Sequence, residues 1–73
     1  MYLMKYRVEV DRETDGRWIA EVPDLPGVLC YGATRDEAVR EAEALALHVI
    51  ADQIQHGETA AGPVSVHLEA AGE

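Results

Sequence analysis

From Tyr2 to Val10 the chain alternates, with Tyr2, Met4, Tyr6, Val8 and Val10 on one side and Lys5, Arg7 and Glu9 on the other. A period of two predicts a strand with one buried face. The polar run from Asp11 to Gly16 ends in Asp-Gly, a strong turn signal, so the first and second strands are expected to pair as an antiparallel hairpin. Beyond it Trp18, Ala20 and Val22 alternate with Arg17, Ile19 and Glu21. Pro23 stops this second strand, because proline has no N–H to give to a ladder and its φ is fixed. Pro26 stiffens the same loop, and Gly27 is free to take a positive φ where the chain redirects itself. Val28 to Tyr31 then reads as a short third strand that Gly32 breaks.

At Thr34 the period changes. Thr34 followed three residues on by Glu37 forms a capping box, each side chain accepting from an N–H that the helix start leaves unpaired. The helix is predicted from about Arg35 to about His56, with Gly57 as the left-handed residue that ends it; about 22 residues would span about 33 Å. Ala38, Val39, Ala42, Leu45, Ala46, Val49 and Ile50 recur at three- and four-residue steps, as a stripe packed on a sheet must. A second stripe, Ala44, Leu47, Ala51 and Ile54, lies about opposite. Past residues 58–62, Val64, Val66 and Leu68 alternate with Ser65 and His67 in a last strand over Pro63 to Leu68.

The fold class expected is α+β, a two-layer β1β2β3αβ4 arrangement with one long helix on a mostly antiparallel sheet. A helix that carries the chain back places the fourth strand parallel to the first, and a right-handed crossover gives the order 3-2-1-4. Residues 1–73 are expected to form one domain, with Glu69 to Glu73 frayed. Trp18 is expected to be buried against the helix near Ala42, Leu45 or Ala46, so that Trp18→Ala would cost about 3 to 5 kcal/mol.

Size and charge narrow the function. A chain of 73 residues buries a modest share of its surface, and self-association is a natural remedy. The second helical stripe supplies a surface for it: Leu47, Ala51 and Ile54 are expected in the contact of at least a homodimer, with the edges of the third and fourth strands as the competing interface. Six basic against 14 acidic residues give a net charge of −8, which argues against unaided nucleic-acid binding and for a basic partner. The charged first strand is neither a signal-peptide core nor a membrane span, and a cytoplasmic protein is expected.

Candidate chemistry is sparse. Glu9 and Asp11 share a strand face, and Glu21 or Asp24 would approach them, which sketches a metal-binding carboxylate group; with so many acidic residues the same spacing arises on any solvated polar face. His48, His56 and His67 stand in no metal-ligand spacing, and the lone Cys30, with no base beside it in sequence, reads as a small buried hydrophobe. Trp18, Tyr2 and Tyr6 suit packing better than base stacking, since no basic cluster accompanies them. No nucleophile elbow, phosphate loop or dinucleotide fingerprint is present. Neither an enzyme nor a cofactor is expected.

Taken together, the Trp18 strand, Val22-Pro23-Asp24-Leu25-Pro26-Gly27, the short strand and Gly32-x-Thr34-x-x-Glu37-Ala38 resemble the HicB-like antitoxin family of bacterial toxin–antitoxin pairs, over roughly Tyr6 to Gly57. The resemblance implies a partial RNase H-like fold and a binding module that neutralises a small, basic, RNA-cleaving HicA-like toxin by masking its active site. An acidic protein suits such a partner, and Glu21 and Asp24 are the residues expected to meet it. Members of that family often carry a C-terminal DNA-binding segment; with only Glu69 to Glu73 beyond the last predicted strand, none is expected here. Two other readings stand beside this one: a solitary structural or ligand-binding domain, and a degenerate RNase H-like metal-dependent nuclease.

Overall fold

Alternation on the strands and a three-to-four step on the helix lead to one buried layer between sheet and helix. The computed structural model describes residues 2–57 and 62–72. The elements are β1 (Tyr2–Arg12), β2 (Trp18–Glu21), β3 (Leu29–Gly32), α1 (Arg35–Gln55) and β4 (Val64–Gly72), and the sheet order is β3-β2-β1-β4. β1 and β2 are antiparallel, as are β2 and β3, while β4 runs parallel to β1. The α+β class, the helix on one sheet face and the strand order all follow the periodicity.

The core is built from Met4, Val8 and Val10 of β1, Ala20 of β2, and Ala38, Ala42, Ala46 and Ile50 of α1. Three of the four buried helix residues are alanines, which brings the helix backbone close to the sheet. Gly32 shows how close: a Cβ there would lie 2.5 Å from the Ala38 nitrogen, so glycine is required for packing and not for a turn. Thr34 caps the helix, its hydroxyl accepting from the Glu37 N–H at 3.1 Å. At the other end the N–H of His56 donates to the Asp52 carbonyl and Gly57 takes a φ of 73°.

The Pro23–Gly27 loop does more than reverse the chain. Val22, Leu25 and Val28 are all buried, and successive turns hold them there: Leu25 N–H donates to Val22 O at 3.0 Å, Val28 N–H to Leu25 O at 3.1 Å, and Val22 N–H to Val28 O at 3.0 Å. The loop thus fills space beneath the sheet's short strands, and Gly27, with φ of 87°, closes it.

Several expectations need correction. Trp18 is half-buried, because it is the first residue of β2 and pairs with Gly32 at the end of the sheet. Its ring takes the Arg12 guanidinium at 5.4 Å. Cys30 is half-buried too. β1 continues through Asp11 and Arg12, which were expected in the loop. Residues 69–72 are not frayed: β4 reaches Gly72, held by a parallel ladder that pairs Arg7 with Glu69 and Val10 with Gly72. All but Gly62 of the 58–62 connection lies outside the described residues.

Candidate functional site

The helix covers one face of the sheet and leaves the other to solvent. Met4, Val8 and Val10 of β1 are buried in the core, so by alternation Lys5, Arg7, Glu9 and Asp11 point outward, and the strand register sets their neighbours. Glu9 stands directly opposite Glu21, Asp11 opposite Ile19, and Ile19 opposite Tyr31. On the β4 side Lys5 lies beside His67 and Arg7 beside Glu69. Exposed Leu29 and Tyr31 add apolar area at the β3 margin.

This face divides by charge. A shallow depression of about 300 Å³ is lined by Glu9, Asp11, Glu13, Ile19 and Glu21. A neighbouring one, of about 410 Å³, is lined by Lys5, Arg7, Pro23, Asp24, His67 and Glu69. The two expected partner residues therefore separate: Glu21 belongs to the acidic patch and Asp24 to the mixed-charge cleft beside it. Arg7 bridges the two, with its guanidinium 2.7 Å from the Glu9 carboxylate. One cation cannot neutralise Glu9, Asp11, Glu13 and Glu21, and like charges placed directly opposite on a sheet repel. A cationic side chain brought in by a partner would relieve that repulsion.

Beyond the patch, Arg17 pairs with Asp15 at 2.8 Å and lies over the Tyr31 ring at 4.4 Å, which pins the hairpin end to the β3 margin. The Arg17 N–H donates to the Asp15 carboxylate, and that bond holds the carboxyl below its ordinary pKa. Behind the sheet, burial pushes the Cys30 thiol above its ordinary range, with the Glu41 carboxylate adding to the effect. Nothing in that setting makes it a nucleophile.

The other candidates scatter. His48 is exposed on α1, His56 sits at the helix C-terminus with Nδ1 2.8 Å from the Asp52 carbonyl, and His67 lies on the open face of β4. Among the described residues no group of three or more His, Cys, Asp or Glu is placed to hold a metal ion. The carboxylates Glu9, Asp11 and Glu21 form a patch on the open face of the sheet. Leu47 (49% exposed) and Ile54 (40%) stand uncovered on the outer side of α1, together with Ala51. No described helix is long and apolar enough to cross a membrane.

Sequence reasoning grouped Glu9 and Asp11 with Glu21 as a carboxylate cluster but did not count them as partner contacts, and it missed Glu13 altogether. The signal was available: a hairpin centred on Asp15 puts Glu9 opposite Glu21, because the two are equally distant from that residue.

The comparison that decides the fold is with a crystal structure of the N-terminal domain of the antitoxin HicB from Burkholderia pseudomallei. The likeness has a TM-score of 0.63 and 27% sequence identity, and it covers 77% of this chain. The fold is HicB-like. This chain covers 66% of the length of that structure. No family model matches the sequence, and no curated protein matches it. The HicB-like likeness is to the N-terminal domain of a protein named as an antitoxin.

Proposed function

We propose that this chain is an antitoxin-type binding module that neutralises a small, basic, RNA-cleaving HicA-like toxin by masking its active site. The likeness to the HicB N-terminal domain is the observation that carries the reading. The acidic patch of Glu9, Asp11, Glu13 and Glu21 meets the toxin's basic surface, with Asp24 at the rim. A net charge of −8 steers the encounter. The module acts in the cytoplasm, where such a toxin finds its RNA. It works as a homo-oligomer of a single domain over residues 1–73, with Leu47, Ala51 and Ile54 of α1 in one of its contacts, and it makes no nucleic-acid contact of its own.

The test is inhibition of RNA cleavage by any small basic protein found encoded beside this chain. The parent chain should abolish cleavage at equimolar ratio, whereas Glu21→Lys combined with Asp24→Lys should need at least tenfold more protein, with an unchanged circular-dichroism spectrum. Full inhibition by that variant would remove the patch from the contact. A neighbour that neither cleaves RNA nor binds the parent would overturn the antitoxin reading and favour the solitary ligand-binding domain.

A further inference from the structure

β4 is the outer strand of the sheet and its longest uncovered edge: nine residues, against four in β3 at the opposite edge. α1 lies over β1, β2 and β3 and scarcely reaches β4. Val66, Leu68 and Ala70 are consequently only half-buried, and Val64 is exposed, although all four point to the helix side. An edge strand of this length normally carries some device against pairing, such as a lysine, an internal proline or a bulge. Between Val64 and Gly72 there is no Lys, Arg or Pro, and the only carboxylate is Glu69.

We propose that this edge takes a second copy of the same strand, antiparallel, about a two-fold axis that passes beside Leu68 and runs normal to the sheet. Such an axis keeps both helices on one side, so residues that meet must share a face and their numbers must add to an even sum. Three central registers are then available. Centring on Glu69 sets two carboxylates directly opposite each other, and centring on His67 pairs histidine with histidine. Centring on Leu68 pairs His67 with Glu69 of the second copy and Glu69 with its His67, twice over by symmetry. Within each chain Glu69 already lies beside Arg7 and 3.8 Å from His67, and His67 lies beside Lys5. The open face therefore carries each Glu69 among Arg7 and His67 of its own chain and a second histidine from the other. On the helix side, Val66 meets Ala70 and Leu68 meets Leu68, and the two half-buried rows merge into one apolar strip between the two helices. The sheet becomes eight-stranded and continuous, and the Leu47–Ile54 stripes remain free to join one such pair to another.

Cysteine cross-linking reads the register. In a Cys30→Ala background, Leu68→Cys places the two thiols across the axis at a separation a disulfide can span. It should give a covalent dimer at least tenfold faster than Val64→Cys, whose counterpart is Gly72. Val64 is the more exposed of the two, so random collision would reverse that order. Equal rates, or no cross-linking of either variant, would overturn the proposal. So would a single-chain mass for the Leu47→Glu, Ile54→Lys variant, which isolates this edge from the helix contact and should remain a dimer. His67→Glu should weaken that dimer at least tenfold by setting it against Glu69, and adding Glu69→Lys should restore it. A dimer indifferent to both changes refutes the register. Because none of these measurements involves a toxin, their failure leaves the antitoxin reading standing, and the converse also holds.

Discussion

Replacing Gly32 with alanine adds one methyl group at the point where β3 passes under the first turn of α1. Placed on the Gly32 backbone, that carbon lies 2.5 Å from the Ala38 nitrogen, 3.0 Å from its Cα and 3.1 Å from the Glu37 carbonyl carbon. Comfortable contacts between such atoms start at about 3.5 Å, so strand and helix must part by about 1 Å. The neighbouring atoms are all backbone, and no side chain can swing aside. Overpacking of this kind costs about 1 to 3 kcal/mol, and the rigid surroundings put this case near 3. For a domain of this size that lowers Tm by roughly 12 to 24 °C. Gly32 is not among the glycines with positive φ, so the loss reports the clash and not the backbone conformation. Gly16→Ala is the complementary control, since its φ is 92° but nothing lies within 4 Å; strain alone should cost it about 1 to 2 kcal/mol. Adding Ala38→Gly to Gly32→Ala should bring no rescue, because the collision is with main-chain atoms. Thermal melts followed by circular dichroism decide the matter: a Gly32→Ala protein that melts within about 3 °C of the parent would refute the close-approach argument.

Four further outcomes are expected. Trp18→Ala should cost about 2 kcal/mol by denaturant unfolding, roughly half the figure for a fully buried indole, because Trp18 sits at the sheet's end. Thr34→Ala removes the hydroxyl that accepts from Glu37 and should cost about 1 kcal/mol in the same assay, whereas Thr34→Ser should recover most of it. Cys30 has a folded pKa raised above its ordinary value of 9.0, so the neutral thiol's contribution to stability is complete below that pH and fades as pH climbs through the folded value. Alkylation at pH 8 should accordingly be slower than for an unfolded peptide and faster in Glu41→Gln; equal rates in all three would remove burial and Glu41 as causes. Leu47→Glu with Ile54→Lys should lower the parent's mass in light scattering while leaving the helix signal intact, and an unchanged mass would clear α1 of any role in assembly.

The architecture was legible because each element announces its period: two along β1, then three-to-four from Thr34, then two again at Val64. What escaped was set by distant partners. Glu69 to Gly72, mostly small residues, look like a frayed tail, and only the parallel ladder to Arg7 through Val10 makes them strand. Leu25 sits between prolines in a loop, yet it is buried, because β2 and β3 are short and leave a gap that the loop must fill. Trp18 satisfied every rule for a core residue except position along the sheet, which alternation does not encode. The candidate site was legible in half. Glu21 and Asp24 were identifiable as exposed acids, but their assignment to different depressions depends on where β2 ends and the Pro23 loop turns.

The two ladders of β1 also impose an order of events. β2 pairs only with Glu9 to Arg12, so the stretch from Tyr2 to Val8 finds its strand partner in β4 alone among the described residues. Those partners are about sixty positions apart in the chain, and synthesis is directional. During translation the first half of β1 therefore waits, its N–H and C=O groups hydrated, until residues 64–72 have emerged. The hairpin, loop and helix can assemble beforehand, but closing the long loop from Tyr2 to Val64 comes last and sets the slow step. Hydrogen exchange on refolding should show amides of Glu9 to Arg12 protected before those of Leu3 to Val8. A protease acting on nascent or partly opened chains would meet that waiting segment first.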